Sequence, residues 1–258
     1  MLAVLGRQTL SETVFTTRLK LSGGAQTTLH IAKYPRALVQ PRIAVFRQAT
    51  PLAEWCRRNN VPHAMSGGFF CRQTNRPLGE TWSAGQEHHY SAFAEPWYQV
   101  RGSICVDKSG QTRIASRGQL PSQPNGDLLQ AGPLLVRGGQ PIIKPGQDSE
   151  GFSEANHQFD SDISAGRYPR AAIGLDRQYY WSVVCDGYSD YDSGLGLAEL
   201  ADVMRGLGAV DALNLDGGGS STLISDYELI NSPRTREHSY PSGRAIFSAI
   251  LFQRRDAT

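Results

Sequence analysis

Apolar and polar side chains alternate at two-residue spacing through much of this chain, the mark of strands with one buried face. Residues 13–19 and 27–31 alternate on either side of Ser22-Gly23-Gly24, which predicts a hairpin. The pattern returns at 103–107 and 111–115 across Lys108-Ser109-Gly110, and at 171–175 and 179–185 across Asp176-Arg177-Gln178. Both read as antiparallel hairpins closed by short turns. Single strands are predicted at 42–47, at 210–216 and, after a polar loop over 231–243, at 245–252. An apolar run over 128–136 is broken by Gly132-Pro133, which fits a bulge or a close approach inside a sheet.

Helical spacing shows in two places. Residues 52–59 combine good helix formers with a stop at Asn59-Asn60. Leu197, Leu200, Ala201, Met204 and Leu207 recur at helical spacing behind Ser193, a candidate cap, with Glu199 and Asp202 set for the positive end of the dipole and Gly206 and Gly208 as terminators. Many strands against two helices predict an α+β fold of mixed, largely antiparallel sheets with a few packed helices. No repeat, low-complexity tract or linker divides the chain, so residues 1–258 read as one domain.

Composition narrows the function class. The chain is long enough to bury a core without a disulfide or a metal. A formal net charge of +2 leaves no electrostatic footprint for nucleic acid. Cys56, Cys71, Cys105 and Cys185 are widely spaced without a CxxC, so neither a zinc site nor a redox motif is indicated, and their pairing stays open. The apolar run of residues 1–10 is short and precedes its only basic residue, Arg7, the reverse of a secretory signal; no run is long enough for a transmembrane segment. The chain reads as soluble, either cytoplasmic or exported with its signal removed, in an undetermined oligomeric state.

His88-His89 would point to opposite faces of a strand, which favours surface imidazoles over metal ligands. Residues 145–169 are polar and glycine-bearing without a period, as in a lid, a binding loop or a disordered segment. Their acidic residues, Asp148, Glu150, Glu154, Asp160 and Asp162, lack the glycine and final glutamate of a calcium loop. No cofactor is required by the sequence; a divalent metal is left open.

The candidate chemistry lies in Asn214-Leu215-Asp216-Gly217-Gly218-Gly219-Ser220-Ser221-Thr222. Three successive glycines surrender backbone entropy and pack nothing, so they need a reason. With an amide and a carboxylate before them and three hydroxyls after, they suit a turn whose N–H groups approach an anion or a sugar; a tight strand-to-strand turn is the plain alternative. A P-loop would need a lysine after the glycines, and none follows Gly219.

Residues 208–222 closely resemble the signature of the phosphodiester glycosidase family. The resemblance continues in Arg170-Ala171-Ala172-Ile173-Gly174-Leu175, in Asp186-Gly187, in the helix at 194–207 and in Ala131-Gly132-Pro133-Leu134-Leu135. It extends to Ser66-Gly67-Gly68-Phe69-Phe70, where the family usually has Asn at the place of Ser66, and so covers residues 60–252 in one order. It implies an enzyme that hydrolyses a sugar 1-phosphodiester, small molecule or glycan, to free sugar and a phosphomonoester. On that reading Asp216 works on the sugar, as base, nucleophile or hydroxyl ligand, or holds a metal, because a carboxylate repels a phosphate set directly against it. Asp186, with Glu80 behind it, is the second carboxylate, and Asn214 shares a strand face with Asp216. The anion falls to the N–H groups of Gly217, Gly218, Gly219, Ser220, Ser221, Gly67 and Gly68 and to the hydroxyls through Thr222, with charge from Arg170 or Arg244. Ser66, Phe69 and Gly132 complete the substrate-binding set, although Phe69 reads first as core. A non-catalytic carbohydrate or phosphate-binding domain and a metal-dependent phosphatase are the competing readings.

Overall fold

The computed structural model describes residues 13–71, 73–144, 147–153 and 165–255. The chain opens with Thr13–Lys20 (β1), Gln26–Pro35 (β2) and Val39–Pro51 (β3), followed by the helix Leu52–Arg58 (α1). Short strands come next: Ala64–Ser66 (β4), Phe70–Cys71 (β5), Arg76–Pro77 (β6), Thr81–Ser83 (β7) and Gln86–Glu87 (β8). The middle of the chain gives Gly102–Val106 (β9), Thr112–Ser116 (β10), Asp127–Gln130 (β11), Leu134–Arg137 (β12) and Gln140–Pro141 (β13). The hairpin Arg170–Leu175 (β14) and Tyr179–Cys185 (β15) leads to the helix Leu197–Gly206 (α2) and to Asp211–Asn214 (β16). Leu223–Ser225 (β17), Glu228–Leu229 (β18) and Ala245–Arg254 (β19) finish it.

Three antiparallel sheets result, ordered β1-β2-β15-β14-β16-β12-β13, β10-β9-β11-β7-β8 and β18-β17-β4-β19-β3, with β5 paired to β6 apart from them. Strand alternation sorts side chains cleanly between two layers. On β15, Tyr180 and Val184 enter the core shared by all three sheets, while Trp181, Val183 and Cys185 face the opposite side; on β14, Ala171, Ile173 and Leu175 point in and Ala172 points out. The outer face of the first sheet is covered by α2 through Leu197, Leu200, Ala201 and Met204. Against the outer face of the third sheet lies α1, through Leu52, Ala53 and Cys56.

The expected α+β class is overturned in favour of a mostly antiparallel β fold. Both helices stand where helical spacing predicts them, but neither reaches the shared core, which is built from strand and loop residues alone. They plug two outer faces instead of forming a layer. The start of α2 also differs: its N-cap is Gly196, whose N–H is taken by Glu199 Oε2 at 2.9 Å, and Ser193 Oγ bonds the Gln26 carbonyl at 3.0 Å. Gly132-Pro133 is not a bulge within one strand. There the chain leaves β11 in the second sheet and enters β12 in the first. Much of the 145–169 stretch, including Glu154, Asp160 and Asp162, lies outside the described residues.

No disulfide joins the four cysteines. Among the described residues no helix is long and apolar enough to cross a membrane.

Candidate active site

Strand β16 ends at Asn214, but Leu215 N–H still bonds the Ala171 carbonyl of β14 at 2.9 Å. The next residues then tie two distant strand ends together. Asp216 N–H bonds the Gly67 carbonyl just beyond β4 at 3.0 Å, and Gly218 N–H bonds the Pro169 carbonyl just before β14 at 2.8 Å. Such backbone contacts leave no room for side chains. A Cβ on Gly67 would lie 2.6 Å from Ser248 Oγ, and one on Gly217 would lie 2.8 Å from the Pro169 carbonyl oxygen. Gly218 adopts φ +60°, a left-handed value that glycine takes without cost.

The amides of the turn divide into used and available donors. Gly67 and Gly68 N–H are taken by Ser248, through its carbonyl at 3.0 Å and its hydroxyl at 3.1 Å. Ser220 and Ser221 N–H close onto Gly217 and Gly218 at 3.1 and 3.2 Å, and Thr222 N–H meets Ser66 Oγ at 3.4 Å. Gly217 and Gly219 N–H have no protein acceptor among the described residues.

The hydroxyls show the reverse imbalance. Ser220, Ser221 and Thr222 are fully buried, yet none of their hydroxyls has a hydrogen-bond partner among the described residues, nor has Asn214 Oδ1. Buried polar groups are almost always bonded, so four orphan oxygens within nine residues mark a place laid out for water or a ligand. Asn214 is itself held firmly: Nδ2 donates to the Gly132 carbonyl at 2.8 Å and its N–H to the Pro133 carbonyl at 3.0 Å. Gly132, at φ +116°, has no space for a Cβ, which would stand 2.5 Å from Glu150 Oε2. The Glu150 carboxylate takes the N–H groups of Gly102 and Leu134 at 2.7 Å each, while burial pushes its pKa up to about 7.

Behind this brace, Arg101 lies between the rings of Phe93 and Phe152, 4.2 Å from each centroid, and donates to the Glu150 and Gly151 carbonyls. Burial lowers its pKa to about 10. Phe69 packs against the same two rings and is buried core.

The three carboxylates differ sharply. Asp216 is half-buried at the turn. Asp186, at the end of β15, is buried; Oδ2 sits 2.8 Å from His30 Nε2 and Oδ1 takes the Ser232 N–H at 2.9 Å. The opposite ring nitrogen of His30 is 3.1 Å from Thr16 Oγ1, so a polar chain crosses β1, β2 and β15. Glu80 is buried and saturated by Arg117, Trp82 Nε1 at 2.7 Å and the Tyr98 hydroxyl. Burial alone would raise its pKa, but these hydrogen bonds prevail and hold it below the usual value. Both of its oxygens are engaged by these three side chains.

Cations and aromatics surround the turn. Arg170 is buried with Nε on the Leu195 carbonyl at 3.1 Å and its guanidinium over Tyr168. Arg244 stacks on Phe70, and its Cδ is 3.3 Å from the place of a Cβ on Gly219. The Tyr168 and Tyr188 rings meet edge to face at 5.8 Å, and Arg236 covers Tyr188 at 5.5 Å. Among the described residues no group of three His, Cys, Asp or Glu side chains converges as a metal site would require.

The profile of the phosphodiester glycosidase family matches residues 59–253. The chain belongs to the phosphodiester glycosidase family. Among curated relatives, the mouse N-acetylglucosamine-1-phosphodiester alpha-N-acetylglucosaminidase is 29% identical over 178 residues, covering 66% of this chain and 33% of the relative. Its human counterpart is 28% identical over 197 residues, covering 74% and 36%. This chain therefore spans about a third of the length of the curated relatives it matches.

Among solved structures, the zebrafish N-acetylglucosamine-1-phosphodiester alpha-N-acetylglucosaminidase catalytic domain, auto-inhibited by its pro-peptide, aligns with TM-score 0.70 and 19% identity, over 95% of this chain and 83% of that one. A hypothetical protein from Synechocystis aligns with TM-score 0.70 and 19% identity, over 95% and 62%. These likenesses show a shared fold. Within the family match fall all the site residues named from sequence, Ser66 to Arg244. Four neighbours of the site carried no sequence signal: His30, which lies upstream of the match, and Tyr168, Tyr188 and Arg236, which belong to no motif.

Proposed function

We propose that this protein hydrolyses a glycosyl phosphodiester, releasing the free sugar and a phosphomonoester. The supporting observation is the meeting of Asp216 and the glycine turn with Gly67 and Pro169-Arg170, through the 3.0 and 2.8 Å backbone bonds of Asp216 and Gly218. In this reading the phosphate sits on the N–H groups of Gly217 and Gly219 beside Arg244. The orphan hydroxyls of Ser220, Ser221 and Thr222 offer further donors. Asp216 addresses the anomeric carbon from the sugar side. The anomeric C–O bond breaks, its electron pair leaves with the phosphate, and water supplies the new sugar hydroxyl. A phosphomonoester is a good leaving group, so fixed donors on the anion and a carboxylate near the positive ring contribute more than protonation of the leaving oxygen. Asp186 acts beside it, held in orientation by His30 and the Ser232 N–H.

The test is a screen of sugar 1-phosphodiesters with sugar and phosphate release followed separately. Free sugar with phosphomonoester is expected; inorganic phosphate as first product would overturn the reading. Asp216→Asn should reduce sugar release by at least about a thousandfold, as loss of a group acting at the transition state does, with an unaltered circular dichroism spectrum. Unchanged turnover in this variant would remove Asp216 from the chemistry. Tight binding of sugar phosphates without turnover would identify a binding domain instead.

A further inference from the structure

The polar segment after Asn231 folds back on itself beside the site. Thr235 N–H bonds the His238 carbonyl at 2.8 Å, Tyr240 N–H bonds the Pro233 carbonyl at 2.9 Å, and Arg234 bridges Ser239. Its foot is fixed by the 2.9 Å bond from Ser232 N–H to Asp186 Oδ1. Its near side rests on the glycine turn: Tyr240 and Thr235 atoms stand 2.8 and 3.2 Å from the place of a Cβ on Gly219. The segment is a stiff wall along one edge of the turn.

Two arginines stand on this wall. Arg236 is exposed, lies over the Tyr188 ring and forms no ion pair among the described residues, and the adjacent Glu237 stands near His238 instead, at 4.0 Å. Arg234 is half-buried, and its Nε is buried without a hydrogen-bond partner among the described residues. Arg236 gives a hydrogen bond to the Tyr188 hydroxyl and keeps its remaining donors for a ligand, and a buried N–H without an acceptor, as in Arg234, carries a free-energy cost that an anion would relieve. The phosphate of a diester bears a single negative charge. The amides of Gly217 and Gly219 and the Arg244 beside them are sufficient for it.

We propose that residues 233–240 form a second oxyanion subsite, in which Arg236 and Arg234 receive a phosphate or carboxylate carried by the alcohol portion of the substrate. The natural substrate is then a sugar 1-phosphodiester whose leaving group is itself anionic. This rests on the glycosidase reading above, and it selects among substrates without altering the bond that breaks. Glu237 lies in the segment itself but is exposed and turned to His238, while Asp186, bonded to Ser232 at the foot, would repel an anion placed toward the sugar.

Two diesters of one sugar 1-phosphate decide the matter, one with methanol and one with glycerol 3-phosphate as the alcohol. Wild-type protein is expected to favour the anionic diester about tenfold or more in kcat/KM, chiefly through KM, as charge-assisted hydrogen bonds allow. Arg236→Gln, a change at an exposed position, should cut that preference about tenfold. A wild-type ratio near one, or a ratio that Arg236→Gln does not move, would overturn the subsite. If neither diester is cleaved, the glycosidase reading fails on its own. Calorimetry then judges the subsite with inorganic pyrophosphate: weaker binding by Arg236→Gln supports it, and equal binding by both proteins overturns it.

Discussion

Single residues carry two opposite kinds of constraint in this protein, too little space and too much polarity. Gly67 shows the first: the carbonyl and hydroxyl of Ser248 occupy the volume a methyl group would need, and both already hold the Gly67-Gly68 amides. Gly67→Ala is expected to cost about 1–3 kcal/mol, read as a lowered urea midpoint at constant slope. Glu80 shows the second. Its carboxylate is buried against Arg117, and removing one partner of such a pair costs about 3–5 kcal/mol, the loss expected for Glu80→Gln. The folded state holds Glu80 below its ordinary pKa of 4.5, so the unfolded chain binds the proton first. Its contribution is complete above about pH 4.5 and is lost as pH falls through the folded value. Denaturation curves from pH 6 to pH 3 should therefore show the gap between wild type and Glu80→Gln narrowing only at the acid end.

At the scale of elements, the hairpins were legible because alternation with a glycine or aspartate turn has few other solutions; β1 with β2, β9 with β10 and β14 with β15 all formed. Helix α2 was equally legible from spacing, and its apolar stripe predicts its energetics. Leu200 is fully buried against the first sheet, so Leu200→Ala should cost about 2–5 kcal/mol in chemical denaturation, with sugar phosphate binding retained in the folded fraction. What could not be read was anything decided between distant elements. Ser193 is a good cap by type, but Gln26 on β2 takes its hydroxyl, and the cap moves to Gly196. Residues 128–136 look like one interrupted strand because periodicity does not say to which sheet each half belongs. The same blindness hid His30: one imidazole in an alternating strand has no pattern, and only the pairing of β2 with β15 sets it beside Asp186. The glycine turn itself was legible in place, and its neighbours Gly67, Gly132 and Arg170 were legible only through family resemblance.

Over the whole molecule, three sheets share one core, which argues for cooperative unfolding with protection graded from centre to edge. Hydrogen exchange should be slowest in β14 and β15, central in the first sheet and almost wholly buried, and fastest in the exposed edge strand β1. Equal protection of β1 and β14 would contradict that grading. The proposed site draws on segments near residues 67, 132, 170, 186, 216 and 236, so a ligand bound there would report on the assembled fold and not on a fragment.

One feature of the third sheet bears on how the protein is made. Strand β19 lies between β4 and β3, yet β3 ends at Pro51 and β19 begins at Ala245. During synthesis β3 and β4 emerge early and wait for the strand that separates them, on the order of 10–40 s at ordinary translation rates. Throughout that interval the backbone edges of these two strands stand open to each other and to other chains. The yield of this protein in a cell is therefore expected to depend on what shields Val39–Pro51 until Ala245–Arg254 arrives, as well as on its final stability.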